Sequence, residues 1–346
     1  MPQPPKRVTQ KDIAERLGLH RTTVCLALKR HPNIPEKTRD LILKTAEELG
    51  YEPDPMLSAL AVYRNRQRPA SFHGTLAWLV NWSPHYDWRK YTIFKEYFRG
   101  AQIGGKKHGF AIQIFNLNQG GMGPGRLANV LYSQNISGIL VCPQPEPNAR
   151  LDFPWERFSA LTFGNTLAEP ALHVIAPTQY RAALHTMEQI RAQGYRRIGF
   201  ASSMWMDARL DHNQLSAYLA DMYLHQEDPY VFTFEKSGCD PDELVNWVRK
   251  TGIDAAMVSI DAMDMLRKTE LRIPGDLATA CPSLSELTGP LTGVRENALL
   301  SGEVAVDFLV AMMQRGERGI PQFPQRVLVT GSWDPGITLP PAPGSL

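Results

Sequence analysis

Gly18 stands between two stretches of helical periodicity, and with Leu19 it is all that separates them. Upstream, Thr9 can cap a helix, with Asp12 three residues on as a short capping box, and Ile13, Ala14 and Leu17 form its apolar face. Downstream, His20 or Arg21 opens a second helix whose Val24, Ala27 and Leu28 turn towards the first, leaving Arg21, Thr22, Cys25 and Lys29 outward. Two helices across so tight a turn predict a helix-turn-helix. In that arrangement the start of the second helix meets base edges in the major groove, which singles out His20, Arg21 and Thr22, with Thr23 beside them. Arg21 is the strongest base reader, because a guanidinium bonds guanine at two points.

A third helix follows Pro35 and runs through Leu41, Ile42, Leu43, Ala46 and Leu49 to Gly50, closing a miniature core. Tyr51-Glu52-Pro53-Asp54-Pro55 then stops the chain and launches a fourth, from Met56 to about Tyr63. Isolated helices shorter than about 12 residues are marginal in water, so this one is expected to form only against a partner. Charge agrees with a nucleic-acid face. Residues 1 to 68 hold 13 Lys/Arg against 8 Asp/Glu, a surplus of +5, whereas the whole chain carries only +2. Taken alone, such a surplus equally describes a solvated basic face.

The ordered blocks VTQKDIAERLGLHRTTV, IPEKTRDLILKTAEELGYEPDP and LSALA resemble the headpiece and hinge of the lac repressor (LacI/GalR) family of bacterial regulators. Carried over by position, the resemblance implies phosphate contacts from Thr9, Lys11, Asn33 and Thr38, and base reading by Arg21 and Thr22. It makes Leu60 the hinge leucine that wedges into the minor groove and bends the duplex. Thr23 and Lys29 complete the candidate DNA-facing set. The family usually carries Ser where His20 stands and Ser-Arg where Cys25-Leu26 stands, which separates this chain from the family's usual operator sequence.

Beyond the basic linker RNRQRPAS (64–71), strands and helices alternate. Strands are expected at 74–81, 110–117, 138–142, 159–163 and 173–175, with helices at 92–108 and 125–134. The rhythm restarts with helices at 179–193, 207–223 and 241–251 and strands at 197–201, 230–234 and 255–259. Repeated β-α units of this kind predict an α/β body of two lobes with parallel sheets. The chain is expected to cross between lobes near 175–180 and back near 290–293, before a last helix at 301–315 and a segment at 327–330. The division is thus a head at 1–53, hinge helix and linker at 54–71, and a two-lobed body at 72–339. GYRRIGFAS, RIPGDLA and LTGVRENALLSGEVAVDFL resemble the ligand-binding region of the same family, which implies the fold of periplasmic sugar-binding proteins.

Ligands of open parallel sheets meet the loops at the carboxyl ends of the strands. Those loops offer Asn81, Trp82, Tyr86 and Trp88 within NWSPHYDW, then Asn165, Arg209 in SSMWMDAR, Asp261 and Ser283. Trp82, Tyr86 and Trp88 suit either stacking on a ring or packing within a lobe. Arg209 lies near the family's ligand-clamping arginine in one register, and Asp211 takes that place in a register shifted by two. Ile260 and Ser283 stand where sugar-binding members commonly have Asn and Asp, so a simple hexose fits poorly.

Cys25, Cys142, Cys239 and Cys281 have no ligand spacing, which argues for reduced thiols and against zinc. No apolar leader or membrane-length run occurs, so a cytoplasmic location is expected. The histidines show no metal spacing, and neither GxSxG nor a P-loop occurs; Gly120 to Gly125 lacks the Lys-Ser/Thr a phosphate cradle needs and reads as a flexible connection. The expectation is therefore a ligand-controlled transcription factor, most often a repressor. It would act without cofactor as a homodimer on a near-palindromic operator, its effector a sugar or related metabolite between the lobes. The alternatives are a small-molecule-binding protein without specific DNA regulation and, least favoured, an α/β enzyme.

Overall fold

The computed structural model describes residues 8–28, 34–51, 74–120, 123–235, 239–286 and 289–344. The expected hinge helix with Leu60, the basic linker, and candidates Lys29 and Asn33 lie outside the described residues.

In the head, α1 (Gln10–Leu17), α2 (Arg21–Leu28) and α3 (Glu36–Glu48) follow the expected spacing. The Asp12 carboxylate accepts the Thr9 backbone N–H at 2.7 Å and the Thr9 hydroxyl at 2.6 Å, holding the start of α1. Gly18 takes the left-handed φ of +64° that a side chain resists, and Leu19 N–H reaches back to the Ala14 carbonyl at 2.9 Å. With the Gly18 N–H aimed at Glu15 this is a Schellman stop, and it sets the angle between α1 and α2. Ile13, Ala14, Val24, Ala27, Ile34, Ile42 and Ala46 form the small core.

Among the described residues of the body, one sheet has the order β13-β7-β5-β3-β1-β2 and is parallel throughout. Its strands are β1 (Gly74–Val80), β2 (Phe110–Asn116), β3 (Gly138–Val141), β5 (Ser159–Phe163), β7 (His173–Pro177) and β13 (Arg326–Val329). Parallel strands need crossover helices, which bury both faces. Leu76, Trp78 and Val80 of β1 accordingly pack on the same face as α4 (Thr92–Lys107) and α11 (Ala298–Arg315), while Ala77 and Leu79 face α5 (Pro124–Ser133). The chain between β3 and β7 also makes a small pair, β4 (Ala149–Arg150) with β6 (Leu167–Glu169).

The second sheet has the order β14-β12-β11-β10-β8-β9, parallel except at the β14 edge. Its strands are β8 (Ile198–Ser203), β9 (Tyr230–Phe234), β10 (Ala255–Val258), β11 (Ala278–Leu284), β12 (Gly293–Arg295) and β14 (Ser332–Asp334). The helices of this lobe are α6 (Gln179–Ala192), α7 (Met204–Arg209), α8 (Asn213–Leu224), α9 (Pro241–Thr251) and α10 (Ile260–Leu266).

Four local expectations are corrected. The helix expected over 207–223 is broken into α7 and α8, because Asp211 and His212 both adopt left-handed φ, near +55°, with His212 Nδ1 2.6 Å from the Asp207 carboxylate. The last helix begins at Ala298 rather than Ser301. The return crossing follows β12, at 295–298. Among the described residues the chain then crosses a third time, between β13 and β14, a crossing that hydropathy did not reveal. Finally, Gly123 caps α5 and Pro124 with Gly125 forms its first turn, so the glycine run is partly helical.

Candidate ligand cavity and nucleic-acid face

A cavity of about 460 Å³ lies between the lobes, at the ends of β5, β7, β8, β10 and β11. Its lining includes Tyr91, Phe94 and Tyr97 from lobe one, Trp205 and Arg209 from α7, Gln179 and Gln214, and Asp261, Ser283 and Glu296. Asn165, Arg209, Asp261 and Ser283 thus share one wall system. Asn81 instead borders a separate groove with Asn118, where it donates to Gln144 Oε1 at 3.1 Å and accepts from Asn118 at 3.2 Å. Trp82 is buried and gives its indole N–H to the Pro143 carbonyl at 2.8 Å. Trp88 is buried against Trp78 and Phe98, with ring centres 5.7 and 5.6 Å apart, and Tyr86 is exposed outside the cavity. Those two tryptophans pack the lobe.

Short helices position the polar groups. Ser203 closes β8 and caps α7 by accepting the Met206 N–H at 3.1 Å; Ser259 does the same after β10, accepting from Ala262 at the head of α10. Both serine hydroxyls donate to the Asp261 carboxylate, so Asp261 ties two helix starts together beside the cavity. Of the two registers considered for the arginine, Arg209 lines the cavity, whereas Asp211 is exposed with its carboxylate 3.9 Å from Arg326.

Arg209 Nη1 donates to the carbonyls of Gln144 and Pro145, at 2.7 and 2.6 Å, from α7 to the opposite lobe. Its guanidinium also lies 4.6 Å from the Trp205 ring centre and 5.7 Å from that of Phe94. Burial pushes its pKa down to about 10, partly opposed by Tyr91 and by the nearby Glu146 carboxylate. Trp205 reinforces the span, its indole N–H donating to Glu146 Oε2 at 2.8 Å. On the cavity floor, buried Glu296 accepts from Gln179 at 2.8 Å and from Ser283, with the Tyr97 hydroxyl 3.5 Å away. Gln214 supports Gln179 at 2.9 Å. Burial raises the carboxyl pKa of Glu296 and also that of Glu96, whose Oε1 accepts the Glu286 N–H at 3.1 Å.

Sequence reading passed over Gln179, Gln214 and Glu296. Glu296 lies within the GVREN part of the segment that resembles the family's ligand-binding region, and a glutamate near an expected lobe crossing was the signal that could have found it. Gln179 and Gln214 look like ordinary solvated residues in a helical pattern.

In the head, Arg21 and Thr22 are exposed at the start of α2 and Thr23 is half-buried behind them. His20 Nδ1 accepts the Thr22 N–H at 3.3 Å and sits 3.0 Å from the Thr22 hydroxyl. The imidazole therefore does the capping work of a serine. Thr9 is exposed, Lys11 is exposed with an ion pair to Glu15 at 3.5 Å, and Thr38 is half-buried in the first turn of α3. Leu26, where the family carries arginine, packs on the head core. Among the described residues there is no cluster of metal ligands and no helix long and apolar enough to cross a membrane.

No family model matches the chain. It is 24% identical over 325 residues to the HTH-type transcriptional repressor CytR of Escherichia coli (strain K12), covering 88% of this chain and 90% of that protein. The fold matches the lac repressor dimer bound to operator and an anti-inducer, with TM-score 0.55 and 17% identity over 97% of this chain and all of that one. A regulator, CelR, in complex with cellobiose matches at TM-score 0.56 and 18% identity, over 96% of this chain and all of that one.

Proposed function

We propose that the chain is a transcriptional regulator of the lac repressor (LacI/GalR) family, which reads a near-palindromic operator as a cytoplasmic homodimer and answers to a small effector held between its lobes. The observation that carries this reading is the Schellman turn at Gly18, which leaves Arg21 and Thr22 exposed at the start of α2 in a chain that also encloses a cavity between two lobes.

Arg21 and Thr22 read base edges, Thr9, Lys11, Asn33 and Thr38 hold phosphates, and His20, Thr23 and Lys29 belong to the same DNA-facing set. Leu60 wedges into the minor groove once the hinge helices form. In the cavity, Asn165, Arg209, Asp261 and Ser283 act with Trp205, Gln179 and Glu296 on the effector. Closing the lobes on a ligand repositions the two linkers, and operator and effector must then change each other's affinity by the same factor. The working mode is repression, and the chain carries out no chemistry on its ligand.

Genome-wide capture of DNA fragments by the full-length protein at physiological salt, beside Arg21→Ala and Leu60→Ala, tests this. A recurrent palindrome held only by the unsubstituted protein is expected. Equal retention by all three, or weak sequence-blind retention throughout, would leave a small-molecule-binding protein without specific DNA regulation.

A further inference from the structure

The floor of the cavity holds a buried carboxyl group without a cationic partner among the described residues. Glu296 is 6% exposed, and its partners among the described residues are all neutral: Gln179, Ser283 and Tyr97. Gln179 and Ser283 both bond Oε1, whereas Oε2 has only the Tyr97 hydroxyl at 3.5 Å, too long for a strong bond to an anion. Beside it, Glu96 is also 6% exposed, and its Oε2 has no partner among the described residues. The remaining lining carboxylates are engaged elsewhere, Asp261 with two serines and Asp264 with Arg267 at 3.1 Å. The walls above this floor carry Tyr91, Phe94, Tyr97 and Trp205, of which Phe94 and Trp205 already face the Arg209 guanidinium, with Lys90 also in the lining. A buried carboxylate is costly unless a cation or strong donor meets it, and aromatic faces attract cations as well.

We propose that the effector of this cavity carries a protonated amine, received by Glu296 Oε2, on a ring-sized body that lies against the aromatic wall. The inference rests on the reading of the cavity as the effector site. Gln179, Gln214 and Ser283 are positioning residues that hold the carboxylate towards the ligand.

The test is titration calorimetry on the full-length protein with matched ring compounds: D-glucosamine, D-glucose and D-glucuronate, then benzylamine, benzyl alcohol and benzoate. Each amine is expected to bind at least about tenfold tighter than its hydroxyl analogue, and the carboxylates more weakly than either. Glu296→Gln keeps an acceptor for Gln179 and Ser283, so it is expected to fold, and the amine-over-hydroxyl ratio is expected to collapse towards one in each matched pair. A merely structural Glu296 would leave that preference intact, and its persistence in the variant overturns the proposal. Binding led by the hydroxyl or carboxylate members also overturns it, while leaving the effector reading standing if those members alter operator retention. Absence of binding by every member, with operator retention indifferent to all, removes both.

Discussion

Arg209 donates from α7 of one lobe to the Gln144 carbonyl of the other, at 2.7 Å, across the mouth of the cavity. Charge-assisted bonds to carbonyls and contacts of a cation with two aromatic faces are each worth on the order of 1 kcal/mol or more, and desolvating the guanidinium offsets part of that gain. Arg209→Met keeps much of the volume and removes the span. The lobes are expected to part, seen as a larger radius of gyration in solution scattering without ligand; an unchanged radius would place the closing force elsewhere.

Glu96 sets a pH dependence. Its folded-state pKa is raised, first by burial, so the cost of ionising it is absent below the unfolded value and grows as pH rises through the folded one. Glu96→Gln keeps an acceptor for the Glu286 N–H and removes that cost. Its melting temperature is expected to exceed that of the parent at pH 7, and the gap is expected to shrink towards pH 4. A gap that widens on acidification would reverse the sign and contradict the argument.

Helices α4 and α11 touch through glycines. A Cβ on Gly302 would lie 2.2 Å from the Tyr97 carbonyl oxygen, and one on Gly100 would lie 1.9 Å from that of Leu299. Alanine adds up to about 1 kcal/mol of helix propensity, but forcing two backbones apart costs more, roughly 1–3 kcal/mol, so sterics decide. Gly302→Ala is expected to lower the urea midpoint and, by moving Tyr97, to weaken binding in the cavity.

At the head, His20→Ala removes the acceptor for the Thr22 N–H and should destabilise α2 by about 1 kcal/mol, with His20→Ser restoring it. Amide hydrogen exchange at Val24 and Ala27 reads this directly. Full protection in the alanine variant would mean the imidazole is no cap.

Arg191 joins Asp221, at 2.7 Å, and Glu227, at 2.8 Å, in a partly covered triad that links α6 to the end of α8. Arg191→Ala leaves two carboxylates facing each other, and after allowing for solvent access the expected loss is about 2 kcal/mol in chemical denaturation.

Periodicity made much of this fold legible. The head helices, the strands of the first sheet and the two lobes follow from apolar spacing, since burial writes itself into sequence at periods of 3.6 and 2. What stayed hidden depends on single residues or distant partners. Asp211 and His212 break a helix through backbone conformation that hydropathy does not register. The segment Ile260–Leu266 is too short for a periodic signal, and its cap, Ser259, looks like part of the strand before it. In the site, Trp82 and Trp88 could be read either way until the Pro143 carbonyl and the Trp78 ring were seen beside them. Gln179, Ser283 and Glu296 lie more than 100 residues apart at the extremes, and only the lobe crossings bring them together.

The third crossing constrains what the body can transmit. A Cβ on Gly331, between β13 and β14, would lie 2.6 Å from Val294 Cγ1 and 2.7 Å from the Arg295 carbonyl oxygen, so this crossing runs tightly against the second. Lobes tied by one strand could swivel freely, but antiparallel straps side by side resist twist and sliding while still allowing a bend. A bend between the lobes is therefore the motion that these crossings leave open. Because β1 is the first described strand after the head in sequence, lobe one is the lobe that the chain enters from it.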